Sequence, residues 1–197
     1  MNPLKELPSG DKDVRRRFYL EKRRVLSADP ERKAQLDMDI QSRLLLSSEF
    51  RESDTILLYI SRMHEIATDM ILSGALINGK AVAAPKCCQD GVMRFFRISG
   101  TRDLAPGRYG VLEPVEGCEP AELTAKTLCV CPALSCDMAG CRLGFGGGWY
   151  DRFLKDFGGI SAALCYTDAL VPELPREDHD IPVDMIVTDS YIKTIHH

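Results

Sequence analysis

Apolar positions along the chain change period several times, and each change marks an expected element. Residues 12–26 read as a first helix. At about 100° per residue, Val14, Phe18 and Val25 form a narrow apolar stripe, with Lys12, Arg16, Tyr19 and Arg23 on the opposite face. The simplest account of that second face is a solvated basic surface. Ser27-Ala28-Asp29-Pro30 breaks the pattern; Ser27 or Asp29 can cap a second helix that has Pro30 in its first turn. That helix is expected to reach about Ser47 and to bury Leu36, Ile40, Leu44 and Leu45. Residues 55–60 are nearly all apolar, as in a strand covered on both faces. A turn from Ser61 to Glu65 and a helix over 68–76 follow. Further strands are expected over 81–84, 92–98 (after an Asp90-Gly91 turn), 128–131, 160–166 and 183–188, with a helix over 149–157. Residues 101–122 show little periodicity. Alternating strands and helices imply an α/β fold: one three-layer domain over residues 1–197, with a mostly parallel central sheet flanked by helices and an antiparallel strand at its edge.

Composition leaves this picture intact. The 197 residues are 45% hydrophobic and 27% charged, ordinary for a globular chain. A formal net charge of -4 argues against general nucleic-acid binding. No apolar run approaches membrane-spanning length, and the start lacks a signal-peptide core. The expectation is a cytoplasmic monomer whose eight cysteines stay reduced.

The candidate chemistry centres on Arg142-Leu143-Gly144-Phe145-Gly146-Gly147-Gly148-Trp149-Tyr150-Asp151-Arg152. These glycines fill an expected strand-to-helix turn, where free backbone N–H groups meet the positive end of a helix dipole. Glycine also lets an anion approach the main chain closely. A P-loop would close on Lys-Ser/Thr, and here Trp149-Tyr150 closes the run. A dinucleotide fingerprint would need Gly or Ala where Trp149 stands. A bare structural turn and a different phosphate cradle remain. The flanks favour the cradle, since Arg142 can pair with a phosphate and Asp151 can hold a magnesium ion beside it.

The run resembles the signature of the 5-formyltetrahydrofolate cyclo-ligase family. Pro132-Ala133-Leu134, Asp137, the Tyr109-Gly110-x-x-Glu113-Pro114 stretch and the closing Leu174-Pro175-x-Glu177-x-His179-Asp180-x-x-Val183-Asp184 are also similar to it. Trp149, where Tyr is usual, and Cys136, where an aromatic often stands, are departures. The resemblance implies ATP-dependent conversion of 5-formyltetrahydrofolate to 5,10-methenyltetrahydrofolate, with magnesium as cofactor and release of ADP and phosphate. It implies that Lys12, Arg16, Arg142, Leu143, Gly144, Phe145, Gly146, Gly147, Gly148, Trp149 and Tyr150 serve ATP. Ile60, Glu65, Phe145, Gly146, Gly147, Gly148 and Trp149 would serve the folate. Glu65 suits that role chemically, because a carboxylate accepts paired hydrogen bonds from the amino-oxo edge of a pterin. Tyr150 and Arg142 would be the catalytic pair, Arg142 holding the phosphates and Tyr150 orienting the transferred phosphoryl or the formyl group. Asp151 and Asp184 would hold magnesium; without the resemblance, Asp184 reads as a strand-start residue.

Three other readings are kept. One is a relative that binds ATP and folate without turnover. Another is a non-catalytic nucleotide-binding module that regulates a partner. The third is a zinc-bearing interaction protein, from Cys129, Cys131, Cys136 and Cys141, whose spacing lacks the usual CxxC pairs. Cys129 and Cys131 share one strand face, where buried thiols behave as small hydrophobes. The terminal His196-His197 is native or a tag remnant.

Overall fold

Thr55–Leu58 (β1) is an inner strand of a seven-stranded sheet, and both its faces are covered. The computed structural model describes residues 10–88, 91–107 and 110–195. Asp90, Tyr109 and His196-His197 lie outside them. Three helices precede β1: Lys12–Ser27 (α1), Pro30–Leu45 (α2) and Ser48–Glu52 (α3). After it come Asp69–Ile77 (α4), Ala81–Cys87 (β2), Met93–Ile98 (β3), Leu104–Pro106 (β4), Leu112–Pro114 (β5) and Thr127–Pro132 (β6). Ser135–Asp137 (β7), Arg142–Leu143 (β8), Trp149–Leu154 (α5), Ile160–Leu164 (β9), Leu170–Val171 (β10), Met185–Val187 (β11) and Ile192–Thr194 (β12) complete the order.

The large sheet runs β12-β11-β9-β6-β1-β2-β3. Its five inner strands are parallel, and β3 and β12 are antiparallel at the two edges. The fold is therefore α/β, with a mostly parallel central sheet between helices. Alternation along the strands divides the core. Ile56, Leu58, Val82, Leu128 and Val130 face Ile40 and Leu44 of α2 and Ile71 of α4. Leu57, Ala83, Cys129, Cys131 and Ala163 face Tyr19, Leu154 and the small β10-β7-β8 sheet. Both residue sets are apolar, which is why these strands read as continuous hydrophobic runs.

Asp29 caps α2, accepting from the Arg32 N–H at 3.1 Å, with Pro30 in its first turn as expected. The first helix corrects its expected faces. Tyr19 and Arg23 are buried, and Val25 is 62% exposed. Arg23 is accommodated because it donates to the Ala133 carbonyl at 2.7 Å and lies over the Tyr166 ring. A hydrophobicity stripe does not register such a stacked, hydrogen-bonded guanidinium. Helix α5 ends at Leu154, short of the expected Phe157, ahead of Gly158-Gly159. The expected strand over 160–166 ends at Leu164.

Candidate active site

Parallel sheets place ligand clefts beyond the carboxyl ends of their strands, where strand order reverses. Here β1 is flanked by β2 on one side and β6 on the other, so the reversal falls at β1 and β6. Tyr59 and Ile60 beyond β1, and Pro132 at the end of β6, line a cavity of about 380 Å³. Ligand pockets commonly span roughly 300–1,000 Å³. Every site residue expected from the sequence lines this cavity, except Asp184.

The glycine loop forms its floor. It leaves β8, the second strand of a short hairpin with β7, and not the central strand over 128–131. Gly146 (φ +96°) and Gly148 (φ +62°) take left-handed conformations that side chains disfavour. Arg16 crosses from α1 onto the loop. Its Nε donates to the Gly144 carbonyl at 3.2 Å, and its guanidinium also pairs with Asp13. Arg142 is deeply set, with its side chain 3% exposed, and donates to Asp151 Oδ1 at 2.9 Å. Its guanidinium lies 5.5 Å from the centre of the Tyr150 ring. Among the described residues, three buried side-chain polar atoms lack a partner: Arg15 Nε, Arg142 Nε and Tyr150 Oη. The last two belong to residues that line the cavity. Buried polar groups in folded proteins are nearly always satisfied, so such orphans mark where a polar ligand belongs. Burial, with the Cys129 and Cys131 thiols nearby, pushes the Tyr150 phenol well above its usual range, so it remains a donor at neutral pH.

The carboxylates are arranged differently from the expectation. Asp184 stands at the entry to β11, at the amino end of the parallel strands, and lines a separate cleft with Leu154 and Phe157. Its Oδ2 accepts from both the N–H and the hydroxyl of Ser161 at 2.7 Å. It therefore does not line the cavity that Asp151 lines, and the plain strand-start role fits it. The carboxylate that does enter the cavity is Asp180. The N–H of its neighbour Ile181 donates to Asp151 Oδ1 at 3.4 Å, which ties the two segments together. Lys12 Nζ bridges Asp180 at 2.6 Å and Glu177 at 2.6 Å. Burial alone would lower the Lys12 pKa, but these two partners raise it overall. Burial likewise opposes ionisation of Asp180, and the bonds from Lys12 and the Glu177 N–H, with the positive charge nearby, together outweigh it, so its pKa is lowered. Asp137, fully buried, fixes both flanks: Oδ1 accepts from the Cys141 N–H at 3.0 Å and Oδ2 from the Leu174 N–H at 3.2 Å. Hard oxygen donors beside a basic, glycine-lined floor suit a magnesium ion carrying phosphates, and Asp151 and Asp180 offer them.

At the other end, Glu65 lies beside Ile60, with its side chain 12% exposed. Its Oε2 accepts from the Arg62 N–H at 2.8 Å. Phe145 and Trp149 add aromatic surface, and Arg62 approaches the Phe145 ring at 5.8 Å. Glu113 also lines this end and accepts from the Cys87 N–H at 3.2 Å.

Comparison with known proteins shows the family. A sequence model of the 5-formyltetrahydrofolate cyclo-ligase family matches residues 8–189. The chain belongs to that family. It is accordingly an enzyme of the cyclo-ligase type, with folate chemistry as its business. A 5-formyltetrahydrofolate cyclo-ligase of Mus musculus is 24% identical over 182 residues, covering 86% of this chain and 90% of the relative. The NMR structure of Aquifex aeolicus 5,10-methenyltetrahydrofolate synthetase superposes with a TM-score of 0.79 at 30% identity, over 94% of this chain and 93% of that one. A 5,10-methenyltetrahydrofolate synthetase from Mycoplasma pneumoniae shares the fold, with a TM-score of 0.73 at 23% identity over 91% of this chain and 99% of that one.

Asp180 was not singled out in the sequence: it stands in the quoted closing segment, four residues before Asp184, and only the fold shows that it lines the cavity with Asp151. The four cysteines of the zinc reading are free and buried. Among the described residues, the cluster with metal-ligand chemistry is Glu177, His179 and Asp180. No helix among those residues is long and apolar enough to cross a membrane.

Proposed function

We propose that this enzyme cyclises 5-formyltetrahydrofolate to 5,10-methenyltetrahydrofolate at the expense of ATP, with magnesium, releasing ADP and phosphate. The observation that carries the reading is one cavity that joins a glycine loop and three cations to a carboxylate-bearing apolar end. Lys12, Arg16, Arg142 and the loop amides hold the phosphates. Asp151 and Asp180 hold magnesium, which neutralises phosphate charge when bound. Glu65 and Ile60 hold the pterin, with Phe145 and Trp149 shaping the folate side. We take the enzyme to be a cytoplasmic monomer, in keeping with its eight free thiols.

A formyl amide oxygen is a poor leaving group. Transfer of the terminal phosphoryl group of ATP to that oxygen makes an iminium phosphate and releases ADP. N10 then attacks the formyl carbon, the ring closes, N10 loses its proton, and the C–O bond breaks to release phosphate. The protein's work is positioning and charge neutralisation. Tyr150 Oη and Arg142 are placed to orient the migrating phosphoryl group.

The test mixes the protein with 5-formyltetrahydrofolate, ATP and magnesium and follows the methenyl chromophore. Folate and ATP binding without product would leave a relative without turnover. ATP binding with no folate binding would leave the regulatory module.

Glu65→Gln is expected to weaken folate binding with little change in ATP affinity. An amide puts a donor where an acceptor is needed, and an unpaired buried donor on the ligand costs roughly 1–3 kcal/mol. Calorimetric titration with each ligand checks this; equal loss of both affinities would assign Glu65 to the fold instead.

Lys12→Ala is expected to raise the ATP requirement severalfold. Its ion pair with Glu177 is half exposed on the acidic side, but its pair with Asp180 is largely buried on both sides, so stability should fall by roughly 1–3 kcal/mol. A large drop in melting temperature with unchanged ATP kinetics would reduce Lys12 to a structural strap.

A further inference from the structure

Glu65 sits on the loop between β1 and α4, and residues outside the cavity hold that loop. Lys33 Nζ, from α2, donates to the Glu65 carbonyl at 2.8 Å. The same ammonium donates to Asp37 Oδ2 at 2.5 Å. That oxygen also accepts from the Ala67 N–H at 3.2 Å, and Asp37 Oδ1 accepts from the Tyr166 hydroxyl at 2.5 Å. One ion pair therefore grips two backbone groups of the loop, at Glu65 and at Ala67. The Asp37 side chain is 5% exposed and that of Lys33 15%. Neither lines the cavity.

Burying a charge pair costs desolvation, and apolar residues of similar size often stabilise as well or better. What such a pair supplies is a fixed position. A carbonyl has two lone pairs in defined directions, so the ammonium constrains the Glu65 peptide, and the Arg62 N–H constrains its carboxylate. Errors of about 1 Å in a binding group are costly.

We propose that the buried Lys33–Asp37 pair, backed by Tyr166, is a positioning device for Glu65 and so sets affinity for the pterin end of the folate. This rests on the assignment of Glu65 to folate. Lys33 and Asp37 are positioning residues; they touch no substrate.

The test is a double-mutant cycle of Lys33→Met with Glu65→Gln. KM for 5-formyltetrahydrofolate, KM for ATP and kcat are measured, and circular dichroism monitors folding. Lys33→Met alone should raise the folate KM about tenfold, as when one polar contact loses its geometry. Its ATP KM should stay within about twofold of wild type, and Lys33→Arg should restore much of the folate KM. In the Glu65→Gln background, Lys33→Met should add less than about a twofold further rise. A multiplicative rise in the double variant, or equal rises in both KM values, would overturn the proposal. So would an unchanged folate KM in Lys33→Met when Glu65→Gln raises it. No effect of Glu65→Gln on the folate KM would overturn the Glu65 assignment itself, and the device with it. Should Lys33→Met fail to fold, Tyr166→Phe replaces it in the cycle. It removes the hydroxyl's bond to Asp37 Oδ1 and its contact with Arg23 while keeping the ring, and the same non-additivity with Glu65→Gln is required.

Discussion

Asp180→Asn is expected to lose turnover by at least about a hundredfold and to need much more magnesium, while the protein stays folded. Even outer-shell partners of a metal ligand carry roughly 10–100-fold effects, and Asp180 is proposed as a direct or water-bridged ligand. Asn keeps the shape and one carbonyl oxygen but removes the charge. Asp151→Asn should behave alike, since the two carboxylates line one cavity and Asp151 is tied to Ile181. Asp184→Asn should do the opposite: ordinary magnesium dependence, with stability lowered by roughly 1–3 kcal/mol as the paired bonds from Ser161 are lost. Magnesium titrations of activity and thermal melts of the three variants decide the matter. A raised magnesium requirement in Asp184→Asn with none in Asp180→Asn would overturn the assignment.

The Lys12–Asp180 contact adds a pH expectation. The Asp180 pKa is lowered, so its stabilising contribution is present above the ordinary carboxylate range and is lost as pH falls through the lower folded value. The Lys12 pKa is raised, so its contribution is present below the ordinary lysine value and is lost as pH rises through the higher one. Between about pH 5 and pH 9 the contact should therefore contribute no pH dependence to stability. Melting temperatures of wild type and Lys12→Ala across that window should run parallel.

The contrast between Asp180 and Asp184 shows what is legible in this sequence. The parallel strands were readable because both faces of β1 and β6 are apolar, and continuous runs such as Ile56-Leu57-Leu58 leave no other account. The glycine loop was readable because few backbone geometries need three glycines in a row. The facing of α1 was not, because Tyr19 packs into the core and Arg23 is buried through stacking and a carbonyl bond, which no hydrophobicity pattern encodes. Strands β7, β8 and β10 have three residues at most, too short to show a period. Which of two aspartates lines the cavity was not readable either. Asp180 and Asp184 belong to one motif, and selecting between them requires knowing that 184 enters a strand at its amino end while 180 crosses the opposite rim.

Tyr150→Phe is expected to make the protein more stable and the enzyme much slower. Its hydroxyl is buried without a partner among the described residues and its pKa is pushed up, so it is a protonated donor. An unsatisfied buried polar group costs roughly 1–3 kcal/mol, so removing it should raise stability by about 1 kcal/mol. The ring keeps its packing, with Phe95 edge-on at 6.4 Å and Arg142 over its face. During reaction, charge develops on the transferred phosphoryl oxygens, and a preorganised donor at such a point is worth about a hundredfold in kcat. The KM values for folate and ATP should change far less, because the bond is made mainly in the transition state. Denaturant melts and steady-state kinetics on the one variant test both halves. Raised stability with unchanged kcat would mean that the hydroxyl is only a packing defect. Lowered stability would mean that it has a partner in solution. A gain in stability joined to a loss in kcat is the signature of a group kept for catalysis at the expense of the fold.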